Sequence, residues 1–408
     1  MSGKILWTGN TMQKQGSPGL STAFLGKREI EKARRFHQSF PEYKPTPLQR
    51  LTDLAGRLGV AGIYVKDESY RFGLNAFKVL GGSYAIARHL AQRLGRDIDG
   101  LPYRALVSHE VREQLGQITF ATTTDGNHGR GVAWTAKRLG QQSVVYMPKG
   151  SSLTRLEKIR VEGANACITE YNYDDAVRMT AEQARKYGWV VLQDTAWEGY
   201  EEIPTWIMQG YGTMAIEAQE QLQALGVEKP THIFIQAGVG SLAGAISGFF
   251  TDTFGDGRPK LAVVEPDQAD CFFRSALAGD GKPRSVGGDL ATIMAGLACG
   301  EPNRIGWEIL RDYSDMFFSC PDWVAAVGMR VLGNPLGEDR RVISGESGAV
   351  TLGLLDMLLT DPKLEEARIA LNLTADSQVL LFSTEGNTDP DKYLSIVWDG
   401  ECPGDGKE

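Results

Sequence analysis

Two glycine-rich turns, each lying between a β-prone apolar run and an amphipathic helical pattern, constrain the fold of this chain most strongly. The first turn is TTTDGNHGRG at residues 122–131, and the second is QAGVGSLAG at residues 236–244. Glycine lets backbone N–H groups approach a bound anion, and the N-terminus of the following helix adds a favourable field. The sequence therefore predicts strand–turn–helix units with two anion-binding turns.

Apolar β-like runs alternate with helical patterns along the chain, which favours open twisted sheets flanked by helices, with right-handed crossovers. One compact group contains four strands and three intervening helices. The predicted strands are 118–121, 143–147, 166–169 and 189–192, and the predicted helices lie near 129–139, 153–161 and 174–187. The predicted fold class is therefore α/β, with this group as a small inserted domain.

The rest of the chain is expected to form a larger, discontinuous domain. We place the small domain at residues 83–196 and the large domain at residues 1–82 and 197–408. Within the large domain, residues 1–44 are predicted to be an N-terminal arm that is helical around residues 29–38.

Composition and charge indicate a soluble enzyme with a small substrate. The 408 residues are 42% apolar, enough for a large core, and the formal charge is −8 without a long Lys/Arg cluster, which argues against a nucleic-acid partner. Residues 1–7 lack the apolar core of a signal peptide, and the five cysteines are scattered, so we expect a reducing cytoplasm. The tail, residues 399–408, is expected to be disordered.

One uncharged segment, residues 233–250, has the length of a membrane helix, and its glycines repeat at the spacing of a helix-dimerisation face. Polar residues and glycines dilute its hydrophobicity, and its start is rich in β-prone residues. We therefore predict a strand, a loop and a helix here, and no membrane partner.

Lys78 is the first candidate for chemistry. It lies in LNAFKVLGG, residues 74–82, directly after Phe77 and ahead of two glycines. Burial disfavours an ammonium group and lowers its pKa, which would fit Lys78 for Schiff-base chemistry with an aldehyde cofactor. A third polar turn, FSTEGNTD at residues 382–389, ends the last strong β-like run.

Together and in this order, the four segments resemble the fold-type II pyridoxal 5′-phosphate enzymes, the group of the serine and threonine dehydratases, threonine synthase and tryptophan synthase β. The resemblance covers about residues 45–389; residues 64–68 match the strand before the lysine, and residues 124–128 match the Ser-x-Gly-Asn-His loop. It implies two open twisted sheets flanked by helices, a large and a smaller inserted domain, and a homodimer.

The resemblance also implies which residues bind pyridoxal phosphate. Lys78 would form the Schiff base, beside Phe77, and Asn127 would bond the phenolic oxygen of the ring. Thr384, or else Ser383, would contact the ring nitrogen; a hydroxyl there makes the cofactor a weaker electron sink than a carboxylate would. The phosphate would bind Gly238, Val239, Gly240, Ser241 and Leu242. A Gly-x-Gly turn alone also fits a dinucleotide, but no acidic residue follows at the ribose-binding spacing.

The loop at residues 124–128 would bind the substrate. The resemblance implies a carboxylate pocket from Thr124, Gly126 and His128, although His128 is equally well explained as a residue that caps a helix. Asp125 departs from the family pattern, which has a small neutral residue here. A carboxylate at this point favours a substrate with a second positive charge, such as 2,3-diaminopropionate.

Two carboxylates are therefore candidate catalytic groups beside Lys78. Asp125 would take the α-proton of the D isomer from the face opposite Lys78, so that both isomers react. Asp194, at a predicted strand end, is the second candidate; the alternative is a helix-capping or turn residue.

The sequence predicts no required metal. Residues 264–271 resemble the divalent-cation loop of serine racemases, but Cys271 stands where a hard oxygen ligand is needed. Cys271 and Cys299 bracket a Gly- and Asp-rich segment, 279–289, that is predicted to be a flexible loop over a site entrance. Reduced thiols are favoured over a disulfide, and their pairing stays open.

The expected function is a pyridoxal-phosphate-dependent α,β-elimination that converts 2,3-diaminopropionate to pyruvate and two molecules of ammonia. The alternatives are a serine/threonine dehydratase or a threonine synthase-like enzyme. A non-catalytic ligand-binding protein on the same scaffold and a nucleotide-dependent dehydrogenase are more distant alternatives.

Overall fold

Two separate sheets organise the chain in the computed structural model, which describes residues 3–14 and 19–404. The seven-stranded sheet has the order β1-β10-β9-β8-β11-β3-β2, and the four-stranded sheet has the order β6-β5-β4-β7. The strands are β1 Leu6–Gly9, β2 Leu48–Arg50, β3 Gly62–Asp67, β4 Thr119–Thr123, β5 Gln142–Met147, β6 Asn165–Ile168, β7 Val190–Val191, β8 His232–Gln236, β9 Lys260–Pro266, β10 Met316–Cys320 and β11 Gln378–Ser383.

Helices cover both sheets. They are α1 Lys27–Gln38, α2 Thr52–Leu58, α3 Val79–Leu94, α4 Tyr103–Leu106, α5 His109–Leu115, α6 Asn127–Arg138, α7 Leu153–Val161, α8 Tyr173–Tyr187, α9 Glu202–Ala224, α10 Ser241–Phe254, α11 Cys271–Ala278, α12 Arg304–Tyr313, α13 Asp322–Gly333, α14 Glu346–Thr360, α15 Glu365–Leu371 and α16 Pro390–Val397. This arrangement confirms the predicted α/β class with two open sheets flanked by helices.

The large sheet is parallel in its centre and antiparallel only at its two edges, where β1 pairs with β10 and β2 pairs with β3. Every residue of β3, β8 and β10 is buried, as expected for parallel strands covered by helices on both faces. The carboxyl ends of β8 and β11 therefore open on the same edge of the sheet, which is where an α/β fold positions a binding site.

The small sheet is entirely parallel and matches the predicted group of four strands. The helix predicted at residues 153–161 has the bounds of α7, and the other two predicted helices begin within two residues of α6 and α8. Helix α8 shows why the ends of such helices can be predicted from the sequence. The side chain of Asn172 accepts a hydrogen bond from the backbone N–H of Asp175 at the start, and Gly188 ends the helix with φ 69°.

The N-terminal arm contributes more than its composition predicted. Its helix, expected at residues 29–38, is α1, but residues 6–9 also form edge strand β1. The tail prediction falls partly on residues 405–408, which lie outside the described residues. Before them, Glu401 accepts from Lys392 and Ser395, so the tail is anchored to α16 up to this point. The domain boundaries at residues 82/83 and 196/197 stay predictions.

The uncharged segment at residues 233–250 is strand β8 followed by a turn and helix α10, as predicted. Within the described ranges, the structure contains no helix that is both long and apolar enough to span a membrane.

Candidate active site

Lys78 lies at the N-terminus of α3, where the chain passes the carboxyl end of β11. The backbone N–H of Phe77 donates to the carbonyl of Thr384 over 3.0 Å, which links the lysine segment to the C-terminal turn. Helix α3 also packs closely against α9. A Cβ on Gly81 would lie only 2.5 Å from the Tyr211 ring, so the absence of a side chain at Gly81 permits this contact. This contact fixes Phe77 and Tyr211 side by side, with ring centroids 4.8 Å apart.

The Lys78 amine forms an ion pair with Asp194, whose Oδ2 lies 2.8 Å from Nζ. Burial disfavours the charge on Lys78, but Asp194 and the nearby Asp125 outweigh burial and hold the pKa of the lysine well above its ordinary value. This corrects the expectation that burial would lower it. Burial likewise opposes the charge on Asp194, yet Lys78 lowers the pKa of Asp194 to about 2. Asp194 is thus more than a capping or turn residue.

The turn at residues 238–242 joins β8 to α10 and has the shape of an anion site. Gly240 adopts φ 91°, and a Cβ there would overlap the ring of Phe272. The turn lies at the N-terminus of a buried helix, whose free N–H groups favour a phosphate. The Ser241 hydroxyl donates to the Asp194 carbonyl and accepts from Asn303, which ties this turn to the lysine's partner.

A cavity opens beside Lys78 and has two parts, both lined by Lys78 and Gly296. The inner part is also lined by Asn127, Ser241, Ser347 and Thr384, and the outer part by Asp125 and Arg155.

The loop before α6 brings Asp125 to the outer part of this cavity, and the neighbours of Asp125 hold the loop backbone in place. The Thr124 hydroxyl accepts from the N–H groups of Gly126, at 2.9 Å, and Gly129, at 3.0 Å. The His128 ring lies in the first turn of α6 and contacts the carbonyl of Leu192 at 2.8 Å. The hydroxyl and the ring are buried and support the loop, while Nδ1 of the His128 ring has no hydrogen-bond partner.

Asp125 lines the outer part of the cavity together with Lys78 and Arg155. Its Oδ2 atom is buried, has no hydrogen-bond partner, and lies 3.7 Å from Nη1 of Arg155. Burial raises the pKa of Asp125, while Lys78 and Arg155 oppose that shift. The carboxylate is therefore held near two cations with one oxygen free to accept a bond.

The two residues predicted as partners of the cofactor ring nitrogen, Thr384 and Ser383, have different surroundings in the C-terminal turn after β11. The Thr384 hydroxyl accepts from Gln236 at 2.8 Å and lines the inner cavity beside Lys78. The Ser383 hydroxyl instead donates to Ser344 at 2.8 Å and is not part of the cavity wall. Thr384 is therefore the better placed of the two.

Asn127 lines the same inner cavity and is oriented by a buried carboxylate. Its Nδ2 donates to Oε2 of Glu385 over 2.6 Å, and the Thr388 hydroxyl donates to the same oxygen over 3.0 Å. The Asn127 amide thus has a fixed direction, which suits a contact with a ring oxygen.

Sequence reasoning gave no role to several cavity residues. Arg155 was hidden because an arginine on an amphipathic helix is usually solvated, whereas here its side chain is almost fully buried. Glu385 lies in the C-terminal turn at residues 382–389, but its partner Asn127 is 258 residues away in the sequence, so the contact could not be read from the turn alone. Ser347 and Gly296 belong to segments without a motif, and both line the inner cavity.

In the loop at residues 264–271, Glu265 stabilises the start of a helix. The buried Glu265 carboxylate accepts from the backbone N–H groups of Phe272 and Phe273 at the start of α11. Cys271 and Cys299 are buried free thiols in the structure. Asp289, at the end of the loop predicted over the entrance, lines the outer cavity.

Comparison with known proteins agrees with this geometry. Residues 40–375 match the family described as pyridoxal-phosphate dependent enzyme. The chain is 52% identical to diaminopropionate ammonia-lyase of Salmonella typhimurium over 392 residues, covering 96% of this chain and 97% of the relative.

Solved structures give the same result. The crystal structure of diaminopropionate ammonia-lyase from Escherichia coli in complex with D-serine matches with a TM-score of 0.92 and 50% identity, covering 98% of this chain and 99% of the other. The same E. coli enzyme in complex with an aminoacrylate–PLP azomethine reaction intermediate matches with a TM-score of 0.89, 50% identity and 98% coverage of both chains. The resemblance inferred from the motifs is confirmed: this chain belongs to the pyridoxal-phosphate-dependent enzymes and, within them, to the diaminopropionate ammonia-lyases.

Proposed function

We propose that this protein is a pyridoxal-phosphate-dependent lyase that eliminates the β-amino group of D- and L-2,3-diaminopropionate. The observation that carries the proposal is Lys78 paired with Asp194 and near Asp125, at a cavity that has the glycine-rich turn of residues 238–242 on its wall. When bound, pyridoxal phosphate supplies an electron sink for charge that develops at the substrate α-carbon. The free enamine product would hydrolyse to pyruvate and a second ammonia.

The residues present fit this cofactor. The Gly240 position excludes a side chain, the backbone of residues 238–242 faces the cavity, and Asn127 and Thr384 present polar groups to the same space. We assign the phosphate to this turn, the ring oxygen to Asn127 and the ring nitrogen to Thr384. A hydroxyl at the ring nitrogen does not keep it protonated, which favours prompt loss of the leaving group over a long-lived carbanion.

Lys78 and Asp125 are proposed to take the α-proton from opposite faces. They approach the cavity from different elements, the start of α3 and the loop before α6. Lys78 would act on the L isomer and Asp125 on the D isomer. Asp194 would hold the Lys78 amine in position through the 2.8 Å contact. When the Cβ–N bond breaks, its electron pair leaves with the nitrogen, and the α-carbon electron pair forms the new double bond.

The proposal includes a homodimer in a reducing cytoplasm. The homodimer rests on the family resemblance, and the location rests on the scattered free cysteines.

The test is a substrate panel. Purified protein loaded with pyridoxal phosphate is incubated with 2,3-diaminopropionate, serine and threonine, each as D and L isomers, and pyruvate or 2-oxobutyrate is measured. We expect the highest kcat/KM with 2,3-diaminopropionate. A preference for serine or threonine would favour the dehydratase alternative. Absence of an aldimine absorption band from the purified protein would favour the ligand-binding alternative.

A further inference from the structure

Two buried polar atoms without hydrogen-bond partners face each other across Gly296. They are Oδ2 of Asp125 and Oγ of Ser347. A Cβ built on Gly296 would lie 3.4 Å from the first atom and 3.0 Å from the second. The space that a side chain would occupy is therefore bounded by two free hydrogen-bond acceptors.

This space lies where the inner and outer parts of the cavity meet. Gly296 and Lys78 line both parts, Ser347 lines the inner part, and Asp125 lines the outer part. Ser347 belongs to the first turn of α14 and is only 4% exposed, so its hydroxyl has little access to bulk water. A buried hydroxyl and a buried carboxylate oxygen that lack partners are costly unless a ligand supplies donors.

The charged residues around the space at Gly296 indicate which kind of hydrogen-bond donor a ligand would place there. Arg155 forms the ion pair with Asp125, but it is also close to Glu385, so it does not neutralise both carboxylates. Lys78 is paired with Asp194. An excess of negative charge with two free acceptors suits an ammonium group, which has three N–H donors.

We propose that Ser347, Asp125 and the side-chain-free position of Gly296 form the subsite for the β-ammonium group of the substrate, with Ser347 as a specificity-determining residue. This inference rests on the proposed function and adds residues that recognise the leaving group. Ser347 accepts one ammonium N–H and Asp125 accepts another. Gly296 leaves the room that the group needs.

The test compares two substrates that differ at the β-carbon. 2,3-Diaminopropionate carries an ammonium group there, whereas β-chloroalanine carries a chlorine substituent, which cannot donate a hydrogen bond. In Ser347→Ala we expect KM for 2,3-diaminopropionate to rise about 10-fold or more, the usual scale for losing a hydrogen bond to a charged group. KM for β-chloroalanine should change less than about 2-fold. Gly296→Ala should raise KM for both substrates, because its methyl group would fill the space that either β-substituent needs.

Thr351→Val is the matched control. Thr351 lies in the same helix, is buried without a hydroxyl partner, and lines neither part of the cavity. Its kinetics should match those of the wild type. The absorption band of bound cofactor, recorded for every variant, reports whether the cofactor site is intact.

Equal losses for both substrates in Ser347→Ala, or an altered cofactor band, would overturn the subsite and make Ser347 a cofactor contact. Unchanged kinetics for both substrates would also overturn it. A wild-type enzyme that leaves 2,3-diaminopropionate unreacted would instead refute the proposed function.

Discussion

Nζ of Lys78 lies 2.8 Å from Oδ2 of Asp194, although the two residues are 116 positions apart in the sequence. Lys78 follows the segment linked to β11 of the large sheet, and Asp194 follows β7 of the small sheet. The ion pair therefore joins the two sheets at the cavity. Asp194 also makes the largest of the contributions that together outweigh burial and raise the pKa of the lysine.

Removing that carboxylate should make Lys78 easier to deprotonate. In Asp194→Asn, burial is no longer opposed by the 2.8 Å ion pair, so the pKa of Lys78 falls. We expect cofactor-free Asp194→Asn to react faster with an amine-selective reagent at Lys78 near pH 8, as followed by peptide mass spectrometry. Asp175→Asn, at an exposed position of α8, is the control. An unchanged rate at Lys78 would contradict the ion-pair account.

Lys78 is expected to carry the cofactor. Borohydride reduction of the loaded protein, followed by peptide mapping, should mark Lys78. Lys78→Ala should lose this label and retain cofactor only through the turn at residues 238–242 and the ring contacts. The measurement is mass spectrometry of the reduced peptides. Label on a different lysine of the wild type would remove Lys78 from its role.

Asp125 should matter more for one isomer than for the other. In Asp125→Asn, turnover of D-2,3-diaminopropionate should fall about 100-fold or more, the usual scale for losing a general base. The L isomer should lose less, chiefly through a higher KM, because Lys78 still takes its proton. Serine, which lacks the second ammonium, should be least affected. Equal losses for all three would return Asp125 to an architectural role.

Glu346 should make the stability of the protein depend on pH. Burial, with Glu385, raises the pKa of Glu346 from 4.5 to about 7. Between these pH values the folded protein keeps a proton that the unfolded chain has lost, so the free energy of unfolding falls as pH rises. The loss amounts to about 3 kcal/mol at most and is complete above pH 7.

Glu346→Gln removes that titration. Its melting temperature, measured by differential scanning calorimetry, should vary less than that of the wild type between about pH 4.5 and 7. At pH 8 it should exceed the wild-type value. The exposed Glu366→Gln is the control. Parallel curves for Glu346→Gln and the wild type would show that this carboxyl titrates normally.

The local pattern of the sequence predicted the small sheet well. Its strands and helices alternate with clear periodicity, and side-chain caps and glycines set helix ends, as at Asn172 and Gly188 of α8. Strand β1 was missed because an edge strand of four residues in a polar arm owes its pairing to β10, about 300 residues away, rather than to its own composition.

The site was predictable as a set of motifs but not as a set of contacts. Lys78, Asn127 and the turn at residues 238–242 could be proposed from the sequence for two reasons. Tight turns that bind anions require glycine, and the motifs occur in the same order as in the resembled family. The pKa of Lys78 was predicted in the wrong direction because its partner comes from a different sheet. Arg155 and Ser347 have no local signature, since only tertiary packing buries them beside Asp125 and Gly296.

The ratio of ammonia to pyruvate tests directly whether the enzyme eliminates the β-amino group of both isomers. The loaded enzyme is given D- or L-2,3-diaminopropionate with nitrogen-15 in the β-amino group, and both products are quantified as the reaction proceeds. We expect two molecules of ammonia for each pyruvate from either isomer, with one of the two labelled. One ammonia per pyruvate, label retained in an organic product, or turnover of a single isomer would contradict it.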